Sequence, residues 1–206
     1  MRILSSFSVL LVVSNFASAQ SAGVMDEAFF NRERAVVLRA VTEQAHLLKD
    51  GDAALLAEYG RASLAAMDVA KGRSYLQMAE AKEPKDGAVL RLIALAWLKN
   101  GYKSEALATY ELVPRRDPRN KEALAQSAID LAEVGLVKEA AGYMKDYAAR
   151  ESDDWKMFLA FGKAFLASGY RKLASPWFAR AIDIKPKEEK VLIEIMRAFS
   201  ETQSVM

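Results

Sequence analysis

One skeleton of residues recurs every 34 positions through the middle of this 206-residue chain. It runs Leu90, Ile93, Ala94, Trp97, Gly101, Ala106, Tyr110, Val113 and Pro118, and then Leu124, Ala128, Leu131, Gly135, Ala140, Met144 and Tyr147. The third copy is Phe158, Phe161, Gly162, Phe165, Gly169, Ala174, Phe178, Ala181 and Pro186. Each copy holds two apolar runs with helical spacing, separated by a glycine turn. A fixed period of this length confines the chain to helix-turn-helix units stacked in a line, each covering the face its neighbour leaves open.

Every column of the repeat has a physical reading. Gly101, Gly135 and Gly169 let the chain reverse between paired helices. Ala94, Ala128 and Gly162 are expected to face Ala106, Ala140 and Ala174, small against small, so that two helices approach closely. Pro118 and Pro186 stop the second helix, and Ser152-Asp153-Asp154 replaces the proline with a cap for the next helix. Pro176 lies about one turn into a second helix, where its missing N–H is expected to cost nothing.

The clear units are 87–120, 121–154 and 155–188. Residues 53–86 keep the frame in degenerate form, with Leu56, Tyr59, Gly60, Leu76, Ala79 and Pro84 in register. Two columns fail there, because Met67 replaces glycine and Gly72 replaces alanine. Gly72 should weaken its helix by roughly 1 kcal/mol. Within 20–52, Asp26 to Lys49 reads as one helix, a cap or a degenerate first repeat, ended at Asp50-Gly51-Asp52. Residues 189–206 supply a capping helix over 189–202 and a short tail.

These columns resemble the tetratricopeptide repeat (TPR) family. Its pattern of aromatic-x-x-aromatic-Gly-x-x-aromatic, Ala-x-x-x-Phe and Pro is best matched at Phe158, Phe161, Gly162, Phe165, Ala174, Phe178 and Pro186. The resemblance is strong over 87–188, weak over 53–86 and marginal before that. It implies an all-α, right-handed superhelical solenoid of antiparallel helix pairs, about three and a half units long with helical caps. It also implies protein or peptide binding in a concave groove lined by the first helices, and no catalysis.

On that resemblance the groove residues are Arg61, Arg91, Leu95, Leu98, Lys99, Glu122, Ile129, Glu133, Lys156, Leu159, Lys163 and Leu166. The lysine and asparagine clamp of the chaperone-type members is absent, since Ala57, Arg61, Leu92, Glu122 and Gln126 stand in its places. What remains is an aliphatic strip, Leu95, Leu98, Ile129, Leu159 and Leu166, flanked by charge. It suits the apolar face of a partner segment. Alternatively it is covered from within, by the Asp26–Lys49 helix or by a second copy of the chain.

Other chemistry finds little footing. The chain has no cysteine, which excludes disulfides, thiolate nucleophiles and Cys-ligated metals. His46 is the one histidine and lacks a neighbouring nucleophile or carboxylate pair, so no cofactor, metal site or enzyme is expected. A net charge of +2 gives no case for nucleic acid. The basic turn from Arg115 to Lys121 sits on an edge where neighbouring turns carry acids.

Met1-Arg2, an apolar run to Val13 and Ala17-Ser18-Ala19 predict a signal peptide over 1–19, cleaved before Gln20. The apolar run is about half of the ~20 residues a membrane span needs, which argues against a retained anchor. The mature chain is therefore expected to be exported, and periplasmic if the source is Gram-negative. The function read from the sequence is an adaptor or scaffold for protein partners, possible in assembly of a pilus, secretion or outer-membrane system. The alternative is a structural homo-oligomer, a homodimer for instance, whose groove is filled by its own copies.

Overall fold

A computed structural model describes residues 32–48 and 51–203. The proposed signal peptide and residues 26–31 of the first helix lie outside the described residues. Among the described residues the chain forms ten α-helices and no strand. They are α1 (Arg34–Leu48), α2 (Ala53–Ala65), α3 (Val69–Lys82), α4 (Gly87–Lys99), α5 (Lys103–Arg116), α6 (Lys121–Glu133), α7 (Val137–Arg150), α8 (Trp155–Ala167), α9 (Arg171–Ile184) and α10 (Glu189–Gln203). Arg32 and Glu33 are not helical, so α1 begins at Arg34 rather than continuing unbroken from Asp26. The Glu33 carbonyl accepts the first turn's N–H groups, from Val36 and Val37.

Local chemistry sets the helix ends. Asp52, Asp68, Asp86, Asn120 and Asp154 each accept a backbone N–H of the following first turn through the side chain. Each such cap is worth about 1 kcal/mol. Asp154 does a second job, accepting the Tyr147 hydroxyl at 2.7 Å, which ties α7 to the start of α8. Between paired helices the turn residue is left-handed, with φ of 86° at Gly101, 76° at Gly135 and 82° at Gly169. Met67 holds the same place with φ of 63°. The degenerate unit therefore makes the same turn without the residue suited to it.

Pro118 and Pro186 each follow the end of a second helix by two residues, as expected, whereas Pro114 and Pro176 lie inside helices. Pro114 lies inside α5, and the helix runs on to Arg116 before Pro118 is reached. Pro176 is inside α9, and the Ala174 N–H before it already bonds the Tyr170 carbonyl. The ring at position 176 therefore removes a genuine helical bond, to Lys172, whose carbonyl is left to solvent on an exposed face.

Packing between paired helices adds a partner to the expected contact of small residues. A Cβ on Gly162 would lie 2.4 Å from the Phe178 ring, and one on Gly60 would lie 2.5 Å from Leu76. The small residue of the first helix thus makes room for a bulky side chain one turn beyond the alanine it was expected to face. Gly72 is likewise functional in packing: its missing Cβ would meet Leu64 at 2.7 Å and the Gly60 carbonyl at 3.1 Å. Two glycines give α2 and α3 their close approach, which alanine at position 72 would obstruct.

The pairs α2–α3, α4–α5, α6–α7 and α8–α9 stack so that the first helices touch in order, α2 on α4, α4 on α6, α6 on α8 and α8 on α10. The second helices do not pack on one another comparably. One layer is therefore tight and the other fans out, which places the first helices on the inside of the curve. This is an all-α, TPR-like solenoid. Its core runs continuously from Ala53 to Ala198, with Tyr110, Phe158, Phe161, Phe165, Leu124 and Met144 fully buried. Edge-on ring contacts join successive units, Tyr147 to Phe161 at 5.5 Å, and Phe178 meets Phe199 of α10 at 5.8 Å.

Candidate functional site

The inner layer carries every residue anticipated for partner binding, but the structure divides them into two sets. Seven positions of a helix make nearly two turns, so residues 5 and 12 of a unit share one azimuth. Positions 2, 6, 9 and 13 lie to one side of it. The first azimuth points at the neighbouring inner helix and the second at the open concave surface.

Leu159 and Leu166 lie on the first azimuth and are 4% and 3% exposed. They belong to the core, beneath the junction of α8 with α10, and not to an open strip. Ala125 and Ala132 hold the same columns one unit earlier and are fully buried. Leu98 is half-buried against the core at the corresponding place on α4.

Arg91 is the fourth anticipated residue on this azimuth. Its Nε donates to Asp130 Oδ2 at 2.7 Å and its Nη2 to Oδ1 at 2.8 Å, a two-pronged pair between α4 and α6. The Tyr110 hydroxyl, on α5, donates to the same Asp130 at 3.1 Å. Asp130 has 6% side-chain exposure. Burial and the adjacent carboxylate push the Tyr110 hydroxyl far above the usual tyrosine range. Arg91 is thus a staple between units, not a free contact for a ligand. Its partner has a sequence signal, because Asp130 occupies a column that is Ala96 and Ala164 in the flanking units. A lone acid in a buried alanine column demands a cation.

The open concave set is smaller. Leu95 on α4 and Ile129 on α6 are half-buried and share a column on adjacent helices. Leu92, half-buried one turn before Leu95, extends this aliphatic centre and was absent from the anticipated strip. Lys99 pairs with Glu133 at 3.4 Å with both side chains nearly half exposed. Glu122 accepts from Gln126 at 2.9 Å, and Arg61 donates to Glu58 at 2.7 Å within α2. Toward α10 the surface turns basic. Trp155, Lys156, Leu159, Ala160, Lys163, Lys190 and Glu194 line a pocket of about 190 Å³. Lys156 lies over the Trp155 ring, and Lys163 donates to Glu194, which that bond holds below its usual carboxylate range.

Helix α1 does not lie along this surface. Its described residues pack on α2, with Lys71 bonded to Glu43 and Arg39 to the Ala66 carbonyl. The basic turn is largely neutralised: Arg115 pairs with Glu111, Arg116 with Glu80, and Lys121 with Glu151. No group of three metal-binding side chains occurs among the described residues, and none of their helices is long and apolar enough to cross a membrane. His46 lies in α1, and its side chain falls outside the described residues.

No family model matches the chain, and no curated protein is significantly similar to it. Among solved structures, the chain is similar to MamA (MSR-1 C2), at 17% identity over 87% of this chain and 99% of that one, with a TM-score of 0.43. A mutant form of MamA gives 17% identity over 87% and 100%, with a TM-score of 0.40. Neither likeness assigns a role to a residue of this chain.

Proposed function

We propose that the chain is a non-catalytic scaffold that holds a segment of another protein along its concave face. The observation that carries this reading is the contrast within the inner layer. Leu92, Leu95 and Ile129 on α4 and α6 stay partly open, while Ala125 and Ala132 on α6 and Leu159 and Leu166 on α8 are buried. The flanking charges suit a segment with apolar side chains over that centre and an acidic residue beside Lys156 and Lys190. Leu95→Glu with Ile129→Glu is expected to abolish capture of partners in a crosslinking pull-down while circular dichroism stays unchanged. Loss of helicity in that variant would show the strip to be core and refute the reading.

The signal-like segment at 1–19 supports export as the setting, with the partners then belonging to an envelope assembly system. Recovery of a chain beginning at Gln20 from the exported fraction tests this, and a retained Met1 would oppose it.

A second reading, self-association, draws on α10. The columns that each complete unit buries with its own second helix hold Leu192 and Met196 there, 48% and 61% exposed. Light scattering on the wild type and on Met196→Glu separates the two readings: a dimer that the variant dissolves favours self-association.

A further inference from the structure

The fanning of the outer layer opens a cleft that none of the described residues fills. It lies between α5 and α7, has a volume of about 510 Å³, and is lined by Leu107, Glu111, Pro114, Lys138, Glu139, Gly142, Tyr143 and Asp146. At the other junctions of the outer layer, side chains cross the gap. Arg73 reaches Glu105, Arg116 reaches Glu80, and Arg180 reaches the Ala148 carbonyl. At this junction Arg150 reaches only the Pro118 carbonyl beyond the end of α5, at 2.8 Å, and among the described residues no hydrogen bond or ion pair joins α5 itself to α7.

Two features make this cleft more than a consequence of curvature. Gly142 stands in the middle of α7, where glycine weakens a helix relative to alanine. A Cβ there would meet nothing within 4 Å, so no contact among the described residues requires the glycine. Close approach by a group from outside would require it. The second feature is charge. Three carboxylates, Glu111, Glu139 and Asp146, face one ammonium, Lys138, around an apolar floor of Leu107, Pro114 and the Tyr143 ring. Glu111 and Asp146 each hold an arginine of their own helix, Arg115 and Arg150, whereas Glu139 has no such partner. The lining is rich in acceptors and poor in donors.

We propose that this cleft is a second docking site, on the convex face, for a basic segment of a partner protein in which a lysine or arginine adjoins an aliphatic side chain. The aliphatic group sits on Leu107, Pro114 and Tyr143 over Gly142, and the cation meets Glu139 and the Glu111 oxygen that Arg115 does not take. The site is separate from the concave groove, so it survives failure of the groove reading.

The test uses the purified chain and a labelled sixteen-residue peptide of four Lys-Leu-Ala-Arg repeats, compared with the same peptide carrying glutamate at every basic position. Fluorescence anisotropy is expected to show binding of the basic peptide only, weakened by salt. Gly142→Leu fills the cleft while improving helix propensity, so its melting temperature should hold or rise as affinity falls about tenfold or more. Glu139→Lys should give a similar loss. The variant Leu95→Glu/Ile129→Glu should leave peptide affinity unchanged. The proposal is overturned if the basic peptide does not bind, if the acidic peptide binds as well, or if the cleft variants leave affinity intact. It is equally overturned if sedimentation shows the cleft occupied by a second copy, with a dimer that Gly142→Leu dissolves.

Discussion

The pair formed by Arg91 and Asp130 offers the sharpest test of how the units are joined. Replacing Arg91 by methionine keeps the aliphatic stem and removes the guanidinium, leaving a carboxylate with 6% exposure and only Tyr110 as donor. Breaking a buried ion pair from one side costs about 3–5 kcal/mol. Arg91 retains 23% side-chain exposure, so water reaches part of the pair and the lower end, about 3 kcal/mol, applies. For a chain of this size that corresponds to a drop in Tm of roughly 6–12 °C.

The control is Lys99→Met, which breaks the exposed pair with Glu133 and should cost no more than about 0.5 kcal/mol. A third variant, Arg91→Met/Asp130→Leu/Tyr110→Phe, removes every polar member and should recover most of the loss, because the penalty lies in the stranded charge. Thermal and urea unfolding followed by circular dichroism supply all three values. Equal losses for Arg91→Met and Lys99→Met would refute the staple. So would a triple variant as unstable as Arg91→Met alone, since packing rather than charge would then be responsible.

Three further outcomes follow from the geometry. Met67→Gly relieves a left-handed backbone at an 83% exposed side chain, and should stabilise the chain by up to about 1 kcal/mol in urea unfolding. Gly162→Ala drives a methyl into the Phe178 ring and should destabilise by about 1–3 kcal/mol, whereas Gly142→Ala should be neutral or stabilising in the same assay. Alkaline stability should fall through tyrosine. Burial pushes Tyr143 up to about 12 and raises Tyr110 and Tyr147 as well. A folded pKa above the unfolded value near 10 means the contribution is complete below about pH 10 and is lost as pH rises through the folded value. The slope is about 1.4 kcal/mol per pH unit for each protected tyrosine, read from unfolding midpoints, with phenolate absorbance lagging until the helices melt.

The solenoid was legible because its columns report spacing, and spacing is a property the sequence carries openly. The capping role of Asp154 and the turns at Gly101, Gly135 and Gly169 follow from single residues acting on their own backbone. Contacts between elements were harder to read. Gly72 looked like a defect because its partner in close approach, Gly60, lies twelve residues away on another helix. The interior position of Pro114 was missed because Pro118 already offered a reason for the helix to stop.

The inner surface shows the same division at the level of function. A stripe drawn over positions 2, 5, 9, 12 and 13 spans too wide an arc to be one surface, and the neighbouring helix claims part of it. Composition then decides what becomes of each claimed position. Where it is apolar, as at Leu159 and Leu166, it joins the core; where it is charged, as at Arg91, the next helix must answer with an acid. Asp130 is that answer, and it explains why a column of alanines carries a single carboxylate. An ion pair held this way is strong between units but unavailable to a partner. Binding therefore falls to residues whose neighbours leave them partly uncovered, Leu92, Leu95 and Ile129 inside the curve and Tyr143 with Glu139 outside it. On the two proposals together, surfaces of unlike chemistry on opposite layers would let one chain bring two partners together, which a groove alone would not.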